Sequence, residues 1–455
     1  MCRFFLKFNI RVFAEQKIRF AAIALFIAVG AAVISSASDE IPPRLIATRV
    51  YGGNSELLPP IIRLSEPSRK PAMLQAFGEN YATVELDVQA ALPPQLYVQV
   101  VHCDVNWRED ENIFLNNTAQ SRTSNIEWRS AAVQSEYFTH RAIIALPNSQ
   151  IKFSVGGNWK AKFYSYDDNS LFAEAKVFVI DPIGECRVDI YPDVYMPNVR
   201  AGGAAFAVEA AVRLNQRLSD FQLHTVTLYR NNRFAEPMPV SANSVVELNE
   251  RMFRDNMPRS VYGFAGFGKK FRIEKVPAEN GYRVLDAANT VIFPSGNYPV
   301  RLPMTDLRRN GTYSDMDSDG GFDTRFVSGG YDEYAAVEFV LDPEGPPSAD
   351  AVFVSGSFNN WSPDAQWMMN YDTEKGLYFL RQWVRRGRHD YLYMTGRLNA
   401  DTRRTDRRDY AEFEGNSNAN NHSFIALAYY RETDGGGYDT IVACGAANQY
   451  GTIRR

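Results

Sequence analysis

Carboxylates at alternate positions followed by a glycine form the most chemically suggestive pattern in the chain. Asp315-Met-Asp317-Ser-Asp319-Gly320 has the opening of a calcium loop, in which hard oxygen ligands surround the ion and the glycine permits a sharp turn. The twelfth position, where a bidentate glutamate belongs, is Phe326, and no helical periodicity flanks the run. Asp315, Asp317 and Asp319 are therefore expected to form a solvated acidic turn, with calcium as the one cofactor to be tested. Five histidines, at 102, 140, 224, 389 and 422, lie in neither a nucleophile elbow nor a two-histidine metal spacing. His102 and Asp104 share a face if their segment is a strand, and a solvent-facing polar pair is the expectation. With 53 acidic residues any two could be named a glycosidase dyad, so none is. No catalytic residue is assigned, and an enzyme is not expected.

The elements that carry these residues are short. Alternating runs such as Thr83–Val88, Gln150–Val155 and Ala336–Leu341 are separated by Gly, Pro, Asn and Asp, the pattern of sandwiches and barrels. Each puts apolar side chains on every second residue, so one face seeks a core. Trp159, Ala161 and Phe163 share one face, with Lys160 and Lys162 on the other, and Gly156-Gly157-Asn158 before them reads as a turn or bulge. Strands are also expected over Ala204–Leu214, Thr225–Tyr229, Tyr378–Val384 and Tyr391–Met394. The fold class is all-β, as tandem immunoglobulin-like sandwiches. Asp181-Pro182 and the Pro-rich run Asp342–Ser348 suggest domain boundaries, giving units 38–182, 183–345 and 346–455 after a leader at 1–37. A chain of 455 residues suits about three domains.

That leader has five basic residues, Arg3, Lys7, Arg11, Lys17 and Arg19, before an uncharged run from Phe20 to Ile34 and then Ser35-Ser36-Ala37. This is the layout of a cleavable secretory signal, and fifteen apolar residues are short of the roughly 20 that span a bilayer. Removing residues 1–37 takes five basic residues from 49 and one acidic residue, Glu15, from 53, leaving 44 against 52 and a net charge of −8. That excludes nucleic acid as an expected partner and offers no basic patch to anionic lipid. Of the three remaining cysteines, Cys103 is expected as a buried thiol, and pairing of Cys186 with Cys444 is left open.

Val352-Phe-Val-Ser-Gly356-Ser-Phe358-Asn-Asn-Trp361, with Gly376-Leu-Tyr378 and Tyr391-Leu-Tyr393, resembles the glycogen-binding module of the early-set immunoglobulin class. The resemblance implies a sandwich over about 345–400 and makes Trp361 a candidate for stacking α-glucans. Met394-Thr-Gly396-Arg397 stands where a second tryptophan would belong, so a structural or protein-binding module is the favoured reading.

An ordered set of motifs resembles the type IX secretion system plug protein family of Bacteroidetes and their relatives. The set comprises Pro59–Leu64, Val101-His-Cys-Asp-Val-Asn-Trp107, Leu146-Pro-Asn148, Gly156-Gly-Asn-Trp159, Val177-Phe-Val179, Phe293-Pro-Ser-Gly-Asn297, Gly356–Trp361, Glu414-Gly415, Ala428-Tyr-Tyr430 and Tyr438-Asp439. The resemblance implies a non-enzymatic periplasmic protein that docks on the outer-membrane translocon barrel and closes its inner mouth. An α-glucan-binding envelope protein is the alternative.

Overall fold

A computed structural model of the protein describes residues 42–452, apart from 65–77, 117, 198–200, 216–217, 243–256, 265–267, 297, 315–319, 325–326, 328–331, 401–404 and 450. The leader at 1–37 and the acidic turn at 315–319 lie outside the described residues. The fold is all-β, as the alternation predicts.

The first sandwich contains β1 (Arg44–Gly52), β2 (Ile61–Arg63), β3 (Ala82–Gln89), β4 (Leu96–Cys103), β5 (Arg122–Thr123), β6 (Glu127–Ser130), β7 (His140–Leu146), β8 (Gly157–Ser165) and β9 (Leu171–Ile180). A sheet of order β1-β3-β7-β6 faces a run of order β9-β8-β4-β5. Val84, Leu86 and Ile144 from one layer meet Val98, Trp159, Phe163 and Val177 from the other. Each such side chain contributes about 1.5–3 kcal/mol when fully buried. On the outer face Lys162 reaches Glu109 at 2.9 Å. Gln150–Val155 forms no strand, contrary to expectation. Ile151 and Phe153 are buried as alternation requires, but Lys152 N–H bonds to the Gln120 carbonyl at 3.0 Å instead of to a ladder.

Next come β10 (Gly184–Val194), β11 (Ala204–Leu214), β12 (Leu223–Arg230), β13 (Met238–Ser241), β14 (Arg259–Phe264) and β15 (Gly268–Pro277). They are followed by β16 (Arg283–Asp286), β17 (Val300–Arg301), β18 (Asp306–Leu307), β19 (Phe322–Asp323), β20 (Tyr334–Asp342), β21 (Ala351–Gly356), β22 (Asn370–Asp372), β23 (Leu377–Arg385), β24 (Arg388–Leu398) and β25 (Thr405–Asp409). The chain ends with β26 (Ser423–Glu432), β27 (Tyr438–Asn448) and β28 (Gly451–Thr452).

Strand pairing groups these elements differently from sequence order. β26 and β27 insert between β12 and β9, so a ten-stranded sheet of order β13-β12-β26-β27-β9-β8-β4-β5 runs through two sandwiches, with β2 on β9 and β28 on β27. The join is narrow, one parallel bridge from Ile441 to Ile180, extended by Ile183 N–H to the Val442 carbonyl at 3.2 Å. The half with β12, β13, β26 and β27 packs on the sheet β10-β11-β15-β14, sharing Phe206, Val208, Phe271, Val226, Phe424 and Val442. The third sandwich draws its core from both sides of Asp342–Ser348, with Leu285, Val337 and Phe339 packing against Val354, Leu380 and Tyr393. The first core is complete before Asp181-Pro182, whereas residue 345 falls inside one shared core, and 423–448 return to the other two sandwiches. Prolines stop a ladder; they do not decide which core the next strand joins.

Cys103, Cys186 and Cys444 are free, and burial pushes the Cys103 and Cys186 thiols up to about 12.

Candidate functional site

β4 delivers His102 into the protein, not to solvent. Its side chain is wholly buried, with Nδ1 2.5 Å from Asp110 Oδ2 and Nε2 3.2 Å from the Gly156 carbonyl. Both faces of β4 are covered, which defeats the expectation that the polar His102 between Val101 and Cys103 points outward. Asp104 does not join His102. Its Oδ1 accepts from Asn106 and Arg108 N–H at 2.8 Å each, shaping the turn that presents Trp107 at a φ of 64°. Trp107 packs edge-on against Phe178 at 5.2 Å, with the Lys176 ammonium 4.7 Å from its ring centre. Gly157, at a φ of 130°, lies so close that a Cβ there would be 2.3 Å from His102 Nε2 and 2.7 Å from the Asp439 carbonyl oxygen.

Trp361 is 1% exposed, which corrects its candidacy as a sugar platform. Asn360 and Trp361 both adopt left-handed backbone, at φ values of 52° and 55°, and turn the indole back into the core formed by Tyr282, Phe353, Leu392 and Met394. The indole N–H donates to the Gly320 carbonyl at 2.8 Å, Tyr282 lies 5.0 Å from the ring, and the Arg233 guanidinium lies 4.8 Å from its centre. No ring face is left for a glucan. Asp315, Asp317 and Asp319 are outside the described residues. Among those described, no group of three or more His, Cys, Asp or Glu is placed to hold a metal ion.

A site that sequence reading missed lies where the second and third sandwiches meet. The turn after β12, the end of β15 and the segment 408–411 converge on a cleft of about 300 Å³. Arg233, buried, pairs with Glu236 and, at 2.5 Å, with Glu279, and its guanidinium lies 4.5 Å from the centre of Tyr410. Arg230 reaches Glu279 at 2.7 Å. Arg408 reaches Glu236 at 3.2 Å and donates to the Trp361 carbonyl at 2.7 Å, while Tyr410 O–H donates to Glu236 at 2.6 Å. Burial opposes ionisation of Glu279, but Arg230 and Arg233 outweigh it and hold the carboxyl below its usual range. Burial, and next Arg230, push the His422 imidazole down to about 4, so it stays neutral at pH 7 beside this cluster. Arg230, Arg233 and Glu236 are spaced by three, but nothing in the sequence links them to 279 or 408.

Comparison with known proteins bears on the first sandwich. Residues 60–181 match the family model for the Type 9 secretion system plug protein 1st domain. The chain also shares its fold with the crystal structure of a hypothetical protein from Parabacteroides merdae, at a TM-score of 0.67 and 18% identity, over 90% of this chain and 97% of that one. No curated protein matches it.

The first sandwich is tied to both other sandwiches. Toward the second, Val105 N–H donates to Asp439 Oδ2 at 3.0 Å, and Tyr429 O–H donates to Asn158 Oδ1 at 2.8 Å. Toward the third, Asp87 is wholly buried and accepts from Arg141 Nε at 2.5 Å and Tyr334 O–H at 2.6 Å, with Arg49 at 3.5 Å. Burial alone would raise the Asp87 pKa, but Arg49 and Arg141 outweigh it and hold the carboxyl below its usual range. Arg385 adds pairs to Glu56 at 3.1 Å and Glu85 at 3.2 Å, and Tyr137 stacks on Trp383 at 4.9 Å. With the Arg233 cluster, these contacts close the three sandwiches into a ring.

Proposed function

We propose that this chain is a non-enzymatic periplasmic component of the type IX secretion system, which binds the translocon barrel in the outer membrane and closes its periplasmic mouth. The observation that carries the reading is the match of residues 60–181 to the plug protein first domain. The motifs outside that segment, from Phe293–Asn297 to Tyr438-Asp439, extend it in order along the chain. The leader at 1–37 supplies the export route, and among the described residues no helix is long and apolar enough to cross a membrane. Three sandwiches closed into a ring give the rigid, pre-organised surface that a plug requires, since little ordering entropy is then lost on docking. Within this reading, the early-set-like segment 345–400 is part of the third sandwich and serves as a structural wall.

Affinity purification of the tagged chain from its own envelope in mild detergent tests the proposal. Recovery of a very large outer-membrane barrel is the expected result. Recovery of the chain alone, with the barrel intact in the same extract, refutes it.

A further inference from the structure

We infer that the cleft walled by Arg230, Arg233 and Arg408 binds a small amphipathic anion, a carboxylate or phosphate carried on an apolar body. Its lining holds four cations, Lys275 with the three arginines, against three anions, Glu236, Glu279 and Asp409, a difference of +1. Both glutamates are already engaged: Glu236 by Arg233, Arg408 and Tyr410, and Glu279 by Arg230 and Arg233. Nε of Arg230, Nε of Arg233 and Nη2 of Arg408 are buried with no acceptor among the described residues. Guanidinium N–H groups that have lost water without gaining a partner are costly, and the three buried arginines outnumber the two buried glutamates, which adds to that cost. An incoming anion offsets the excess charge, and the planar guanidinium fork fits carboxylate and phosphate oxygens better than it fits a neutral acceptor.

The other wall decides what the anion is attached to. Met196, Met238 and Met257 line the cleft, and methionine's unbranched, polarisable chain adapts to apolar groups of varied shape. A volume of about 300 Å³ has room for a short acyl chain or for the last two side chains of a peptide. A free acyl acid and a peptide C-terminus present the same chemistry here, and the probes separate them.

The test is titration calorimetry on the full-length chain at low salt, with four probes: octanoate, octanamide, N-acetyl-Leu-Phe as the free acid, and the same dipeptide as its amide. At least one acid is expected to bind, with its amide at least about tenfold weaker, the worth of one charge-assisted hydrogen bond. Which acid binds identifies the source. Lys275→Glu and Met196→Glu change exposed rim positions and are expected to weaken that acid several-fold at an unchanged melting temperature. Arg408→Met is expected to abolish binding, and if that variant does not fold the two rim variants decide. Failure of both acids to bind below about 1 mM, equal binding of acid and amide, or rim variants that bind as the parent does would each overturn the inference. The cleft lies outside residues 60–181, so neither result bears on the translocon reading.

Discussion

Asp87→Asn is the perturbation that best probes the ring of sandwiches. The side chain is wholly buried, and its two oxygens serve Arg141, Arg49 and Tyr334, so the substitution removes the one carboxylate that all three share, leaving Arg49 with Glu85 and Arg141 with Glu333, and turns one acceptor into a donor. Breaking a buried pair by removing one partner costs about 3–5 kcal/mol, because the other charge stays buried. Tyr334→Phe, which deletes a single hydrogen bond to the same carboxylate, should cost about 1 kcal/mol alone and close to nothing in the Asp87→Asn background. Urea unfolding, followed by tryptophan fluorescence and by far-ultraviolet circular dichroism, reads both effects. The parent should unfold in one coincident transition, and Asp87→Asn should split off an earlier one as the first and third sandwiches part. A loss below about 1 kcal/mol for Asp87→Asn, or an undiminished Tyr334→Phe cost in its background, refutes the view that this carboxylate holds the junction.

Three further outcomes follow from the packing. Gly157→Ala should destabilise by at least about 2 kcal/mol in thermal melts, since its Cβ would collide with His102 Nε2 and the Asp439 carbonyl at a φ of 130°; a neutral substitution would contradict the close approach. Trp361→Ala should cost about 3–5 kcal/mol as a core truncation, and the parent's migration in native gels should be unaffected by glycogen or starch. Retardation of the parent would contradict the burial. His389 and His422 are depressed to about 3 and about 4, first by burial and then by Arg49 and Arg230 respectively. The unfolded imidazoles take up protons that the folded ones refuse, so their stabilisation is present above the unfolded pKa and is lost as pH falls from about 6.5 toward those values. The loss by pH 5 is about 2 kcal/mol per histidine. His422→Asn should remove about half of that drop, as read from urea midpoints at pH 7 and pH 5.

Where one face of a strand meets a core and a partner strand lies alongside, alternation was sufficient. Ala204–Leu214 and the Trp159-Ala161-Phe163 face stand in the structure where the pattern puts them. Alternation was blind to the absence of a neighbour at Gln150–Val155, where the burial rhythm survives without a ladder. His102 was misplaced because both faces of β4 are covered, a fact contributed by the segment 104–116 and by Gly156. The arginine cleft was illegible for a different reason. A charged residue is by default a surface residue, and the partners that bury Arg233 lie 46 residues away at Glu279 and on the segment carrying Tyr410. The plug resemblance was readable because its motifs mark glycines and aromatics at close approaches, such as Gly157 against His102.

The insertion of β26 and β27 between β12 and β9 has a consequence for how the protein is made. A chain emerging N-terminus first can assemble the first core from residues 62–179, yet one edge of β12 stays unpaired until β26, residues 423–432, arrives. Open edges of that kind recruit other strands, including those of a sister chain. A nascent or truncated molecule is thus a target for chaperones and proteases, and only a chain synthesised through its final strands hides the mark. The topology thereby acts as a check on completeness: the second sandwich closes only when β26 and β27 are in place beside β12.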